Sequence, residues 1–257
     1  MTTNSPAIDD GSVSEQVSDG IATIRFGHPK SNALPGTLLM SLARTIDATG
    51  ARPDIRVVVL RSEGSGAFCA GASFDELAAI HDPDTGTEFF LGFARVILAM
   101  IRVPVPVVVA VQGKVVGGGV GLVAASDYAI AVERASLKLS ELAVGIGPFV
   151  VGPVIEHRIG VGAFGAMALD ADWRDAAWAE RHGLYAQVVA DGAALDAAVA
   201  ARAAFLAAAN PEATRGVKQA LWRGTEQWPA LLEERAATSG RLVLSAFTRA
   251  AIARFKA

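Results

Sequence analysis

Apolar and polar positions change period repeatedly along the chain, and the changes outline alternating strands and helices up to about Asp191. The runs Ile21 to Phe26, Val57 to Leu60, Val107 to Val111 and Tyr128 to Val132 are short and rich in β-branched residues, and they predict strands. Between them, Leu38 to Ala48 and Phe89 to Ile101 carry apolar residues at helical spacing. Ala135 to Leu142 reads as a further strand, with Leu137, Leu139 and Glu141 on one face and Ser136, Lys138 and Ser140 on the other. From Ala193 the pattern is helical, with a break at Asn210-Pro211. The expected organisation is an α/β core over residues 20–192 and a helical region over 193–257. Residues 1–19 are polar and acidic, lack the basic start and apolar core of a signal peptide, and read as a flexible leader.

Two strand ends carry glycine-rich loops that lead into helices. One is Gly113-Lys114-Val115-Val116-Gly117-Gly118-Gly119-Val120-Gly121-Leu122, whose helix-like continuation ends at Ser126-Asp127. The other runs from Gly64 through Phe68-Cys69-Ala70-Gly71-Ala72 to Ser73, a candidate N-cap whose capping-box partner would be Glu76. Successive glycines cost backbone entropy and suit places where the main chain must be bare. At a strand-to-helix junction the bare N–H groups lack intrahelical partners. Two such donors from separate loops are what an oxyanion hole requires. A tight turn or close helix packing is the plainer alternative for either loop.

Composition narrows the class. The 257 residues are 52% hydrophobic with a mean hydropathy of +0.38, yet Pro104, Pro106 and the Gly/Pro positions from Gly145 to Pro153 interrupt the apolar runs. No run reaches the length of a membrane span. A net charge of −3 without a basic run argues against nucleic acid. The four histidines have no metal-ligand spacing. The single cysteine, Cys69, allows no intrachain disulfide and fits a reducing cytoplasm; small apolar packing suits it better than a nucleophile's role.

With Phe68-Cys69-Ala70-Gly71-Ala72, Gly117-Gly118-Gly119 and Glu141 in this order, the chain resembles the crotonase superfamily of enoyl-CoA hydratases and isomerases. The resemblance runs from Gly20 through Ser31-Asn32-Ala33-Leu34 and Asp172–Leu184 to Phe255. It implies a spiral of ββα units with a C-terminal helical trimerisation region, assembled as a homotrimer or homohexamer. It also implies an acyl-CoA thioester substrate and no separate cofactor, since coenzyme A is part of the substrate. By the same resemblance Ala72 and Gly118 supply the oxyanion-hole N–H groups and Glu141 the acid/base. Ser31, Ala33, Ala70, Ser73, Phe74 and Gly117 fall at substrate-binding positions. Periodicity alone leaves Glu141 open to a structural, salt-bridged role. Burial beside leucines would raise its pKa toward neutrality.

The chain departs from the family at Gly121, where typical hydratases carry a second catalytic glutamate. Hydration needs one group for water and another for the α-proton, whereas one carboxyl can shift a double bond from the 3,4 to the 2,3 position. The expected reaction is therefore 3-enoyl to 2-enoyl isomerisation. The alternatives are hydration with one glutamate, or a homologue that binds acyl-CoA without turnover. A Gly121→Glu chain would gain hydration if the added side chain fitted. Dehalogenase-like and dienoyl-isomerase chemistry need an aspartate that the stretch between Glu141 and Glu156 lacks. The family's CoA-binding lysine has no clear counterpart other than Lys256.

Overall fold

The computed structural model describes residues 11–256, with side chains as far as Arg254. In chain order the elements begin β1 (Ser12–Ser18), β2 (Ile21–Gly27), α1 (Gly36–Gly50), β3 (Val57–Ser62), α2 (Phe74–Ala79) and α3 (Pro83–Arg102). They continue through β4 (Val107–Val111), β5 (Val115–Val116), α4 (Gly118–Ala124), β6 (Tyr128–Val132) and β7 (Ser136–Lys138). After a short 3-10 turn, Leu142–Val144, come α5 (Gly152–Asp170), β8 (Arg174–Asp175), α6 (Ala176–Arg181) and β9 (Gln187–Val189). Four helices complete the described chain: α7 (Gly192–Ala208), α8 (Pro211–Leu221), α9 (Trp228–Leu242) and α10 (Ala246–Lys256).

A six-stranded sheet runs β1-β2-β3-β4-β6-β9, and a small second sheet runs β5-β7-β8. From β2 to β9 the larger sheet is parallel. Parallel strands are covered on both faces, which explains the unbroken valine runs: Val57, Val58, Leu60 and Val107 through Val111 are all buried. Strand β1 is different. It pairs antiparallel with β2, from Ser12 opposite Gly27 to Ser18 opposite Ile21, and most of its residues are exposed. The expected leader thus contains an edge strand, which its polar composition concealed because an edge has little to bury. Residues 1–10 of that leader lie outside the described residues.

Helix α3 starts six residues before the apolar pattern, because Asp82 caps it by accepting from Thr85 N–H at 2.8 Å and Pro83 occupies its first turn. At Ser73 the capping box is only half formed. Ser73 accepts from Glu76 N–H at 3.4 Å, but the Glu76 carboxylate turns to Gly36 N–H at 2.7 Å and caps α1 instead. Among the described residues no single helix is long and apolar enough to cross a membrane.

The C-terminal helices are tied to the sheet through a buried polar knot. Asp127 Oδ2 accepts from Val107 N–H at 2.7 Å and from Lys218 Nζ at 2.8 Å, and its Oδ1 accepts from Trp222 Nε1 at 2.7 Å. Lys218 also donates to the Met100 and Val105 carbonyls at 2.7 and 2.9 Å, so all three ammonium donors are used. Burial pulls the Lys218 pKa down and Asp127 opposes that pull. Helix α9 crosses α3 where two glycines meet: a Cβ on Gly86 would stand 2.8 Å from the Gly240 carbonyl oxygen. That close crossing brings Ser239 to the pocket described next.

Candidate active site

The pocket lies between the two glycine loops, α2, α3, the Leu142–Val144 turn and α9, and opens to solvent at its mouth. Ala70, Ala72, Phe74, Gly117, Gly118 and Glu141, six of the nine expected site residues, line it.

The first loop is held by a one-residue parallel bridge between Leu34 and Ala72. Leu34 N–H donates to the Gly71 carbonyl at 2.8 Å, and Ser73 N–H donates to the Leu34 carbonyl at 3.2 Å. In an extended segment bonded on both sides of a residue, that residue's own N–H points the other way. The Ala72 amide is therefore directed away from Leu34. The second loop hangs on β7, where Gly117 N–H donates to the Lys138 carbonyl at 2.9 Å. Gly117 adopts φ 55° and ψ −123°, a conformation that favours glycine, and its reversal starts α4 at Gly118. As the first residue of a helix, Gly118 has no intrahelical acceptor for its N–H. Cys69 fills the space between the loops: a Cβ on Gly119 would lie 2.7 Å from Cys69 Cβ. Burial pushes the Cys69 thiol pKa up to about 12, so the residue packs and stays protonated.

Glu141 reaches the pocket by a different route from the one its alternation suggested. Strand β7 ends at Lys138, since its partner β5 gives way to the Gly117 reversal. Glu141 then stands in right-handed helical geometry, φ −62° and ψ −41°, at the start of the 3-10 turn. The residue keeps some exposed surface, but its Oε2 is buried with no hydrogen-bond partner. A Cβ on Gly117 would sit 3.2 Å from Glu141 Oε1, so the bare Gly117 backbone is what leaves room for the carboxyl. Burial raises the Glu141 pKa to about 7, against a weaker downward pull from the backbone N–H groups of Glu141 and Ser140. The salt-bridge alternative falls away, because the carboxyl faces apolar neighbours and no cation among the described residues lines the pocket.

This placement has a thermodynamic consequence. A carboxyl with a pKa of 4.5 when unfolded and about 7 when folded binds its proton more tightly in the native state, so native stability falls as pH rises between those values. Glu141→Gln removes that loss. Relative to wild type it should gain stability as pH rises from about 4.5, reaching about 3 kcal/mol above pH 7. Thermal melts of both proteins across pH 4 to 9 check this, and a pH-independent difference would contradict it.

The remaining expected positions stay off the pocket lining. Ser31 is exposed, and its carbonyl accepts from Ala70 N–H at 3.1 Å, which supports the first loop from behind. Ala33 is buried beside it, and the Ser73 hydroxyl is occupied as the cap of α2. The Lys256 side chain lies outside the described residues. Sequence reasoning missed the rest of the wall: Phe90 and Phe93 from α3, Val144, Ile146, Phe149, Val150 and Val151 after Glu141, and Ser239. The helical pattern of α3 marked Phe90 and Phe93 as core, but no sequence signal distinguishes a pocket wall from core.

At Gly121 the structure accounts for the missing carboxylate. A Cβ there would lie 2.5 Å from Val151 Cγ1 and 2.8 Å from Val151 Cβ, with Ile97 Cδ1 at 3.5 Å. Val151 occupies the space that a side chain at position 121 would need, and it presents an apolar surface to the pocket.

Two glycine loops converging on one carboxyl, within a core of parallel strands and covering helices, define a crotonase-like fold. The sequence model of the enoyl-CoA hydratase/isomerase family matches residues 16–251, and the chain belongs to that family. A Mycobacterium tuberculosis relative, named (7aS)-7a-methyl-1,5-dioxo-2,3,5,6,7,7a-hexahydro-1H-indene-carboxyl-CoA hydrolase, is 33% identical over 205 residues, covering 79% of this chain and 80% of its own. The enzyme of the same name from Rhodococcus jostii is 36% identical over 144 residues, and the match spans only 55% of either protein. Mouse mitochondrial methylglutaconyl-CoA hydratase is 36% identical over 117 residues, 46% of this chain and 37% of its own length. Among solved structures, an enoyl-CoA hydratase from Mycobacterium avium superposes with a TM-score of 0.83 at 28% identity, covering 95% of each chain. One from Bacillus halodurans reaches 0.86 at 20% identity over 94% of this chain and 99% of its own, a likeness of fold.

Proposed function

We propose that this protein isomerises 3-enoyl-CoA to 2-enoyl-CoA thioesters, with Glu141 as the single acid/base. The observation that carries the proposal is the pairing of the buried, unpartnered Glu141 Oε2 with the apolar Val151 in front of Gly121. The Glu141 carboxylate takes the C2 proton, and the electron pair moves into the thioester carbonyl, whose oxygen becomes an enolate. The Ala72 and Gly118 N–H groups stabilise that oxygen, an interaction worth about 2.7–4 kcal/mol per donor in comparable sites. The protonated Glu141 then returns its proton at C4 as the enolate collapses, leaving the double bond between C2 and C3. A carboxyl with its pKa near 7 is suited to both transfers. No separate cofactor takes part, and coenzyme A enters as part of the substrate.

The test offers 3-enoyl-CoA and 2-enoyl-CoA separately and follows the 2-enoyl chromophore. Its formation from the first, without decay of the second, supports isomerisation. Rapid loss of the chromophore to a 3-hydroxyacyl thioester favours hydration by one glutamate. Release of free coenzyme A would indicate hydrolysis, and inertness toward both would indicate a binding homologue. Gly121→Glu should not gain hydration as it stands, because the new side chain must displace Val151. Overpacking of this kind costs about 1–3 kcal/mol or more. Assembly as a homotrimer or homohexamer belongs to the same reading. Val161, Leu169, Phe205, Val217 and Phe247 are exposed apolar residues that such contacts would cover, and sedimentation showing only monomer would count against it.

A further inference from the structure

The acyl end of the pocket has an electrostatic character that the family assignment does not dictate. Beyond the loops its wall includes Phe74, Phe90, Phe93, Val144, Phe149 and Val151, and the polar side chains lining it among the described residues are Ser140, Ser239 and Glu141. Among the described residues no Lys, Arg or His lines it, and Glu141 is the one ionisable group there. Arg95 on α3 lines a separate groove and is paired with Glu88. Some acyl-CoA thioesters carry a second carboxylate on the acyl group. Such a group would have to enter this wall without a counter-ion and approach a carboxyl that must itself ionise to act.

We infer that the pocket selects thioesters of apolar monocarboxylic acids and rejects acyl groups bearing a second carboxylate, with Glu141 and the cation-free wall as the specificity determinants. This rests on the acyl-CoA reading above and narrows its substrate class. Burying an unpaired charge is strongly unfavourable, and like-charge contact adds to the discrimination. A single added carboxylate should therefore weaken binding by about hundredfold or more, equivalent to about 2.8 kcal/mol.

Saturated thioesters separate recognition from turnover. Calorimetric titration of the wild-type protein with 5-methylhexanoyl-CoA and with glutaryl-CoA compares an apolar branch with a carboxylate of similar shape. The expected result is binding of the first and at least about hundredfold weaker binding of the second. At pH 8, where Glu141 is ionised, the gap should narrow in Glu141→Gln, since the like charge is gone, without closing, since the wall still provides no cation. A gap unchanged in Glu141→Gln would remove Glu141 as a determinant and overturn that part of the inference. Equal binding of the two thioesters to wild type would overturn the inference while leaving the acyl-CoA reading intact. Failure of both to bind would overturn the acyl-CoA reading itself, and the inference with it.

Discussion

Glu141→Gln should lower the turnover of 3-enoyl-CoA by at least about 10²–10⁴-fold, the usual contribution of one positioned acid or base. The loss should fall at the upper end or beyond it, because the proposed mechanism gives both proton transfers to the same carboxyl. Glutamine keeps the shape and the buried packing, so the pocket should still bind substrate. The effect therefore belongs in kcat, with KM little changed. In wild type, kcat/KM should rise with pH through an apparent pKa of about 7, because the base acts only when ionised. Glu141→Asp should recover part of the rate, since it restores a carboxyl at a slightly longer reach. Full activity in Glu141→Gln would sink the mechanism. A rate loss matched by loss of binding would assign Glu141 a binding role instead.

The second large effect concerns stability and lies away from the pocket. Lys218→Met removes the ammonium that bridges the Met100 and Val105 carbonyls to Asp127 and leaves the Asp127 carboxylate buried without its closest cation. The side chains of Lys218 and Asp127 are 4% and 7% exposed, so water cannot replace the lost partner. Removing one member of a buried pair typically costs about 3–5 kcal/mol, and urea unfolding should show a loss of that size. Most of the penalty is the stranded charge. The double variant Lys218→Met/Asp127→Asn should therefore be more stable than Lys218→Met alone, and the interaction term of a double-mutant cycle measures that recovery. A single variant within about 1 kcal/mol of wild type would show that the knot contributes little to holding α8 on the sheet.

How much of this was legible in the chain depends on how local the determinant is. The valine runs of β3 and β4, the glycine loops and the helical turnover after Asp191 could all be read, because burial on both faces and backbone bareness each restrict which residues a position tolerates. The start of α3 was also written locally, in Asp82-Pro83. Edge strand β1 escaped because an edge with one solvated face carries no apolar signal. The wrong strand reading of Glu141 shows the limit of periodicity. Alternation holds only while a partner strand continues, and β5 ends after two residues for reasons set by Gly117.

The sequence by itself determined the inner parallel strands, the two glycine-rich strand-to-helix junctions and the presence of one carboxyl where two were expected. These follow from properties of neighbouring residues, which the order of the chain states directly. Only the tertiary structure decided that Glu141 Oε2 is buried without a hydrogen-bond partner, that Val151 closes the space at Gly121 and that Ser239 reaches the pocket. It also decided that Asp127 is bound to Lys218 and Trp222, about ninety residues further along. Such distant side chains are joined by packing and desolvation, and both depend on which surfaces meet once the chain has folded.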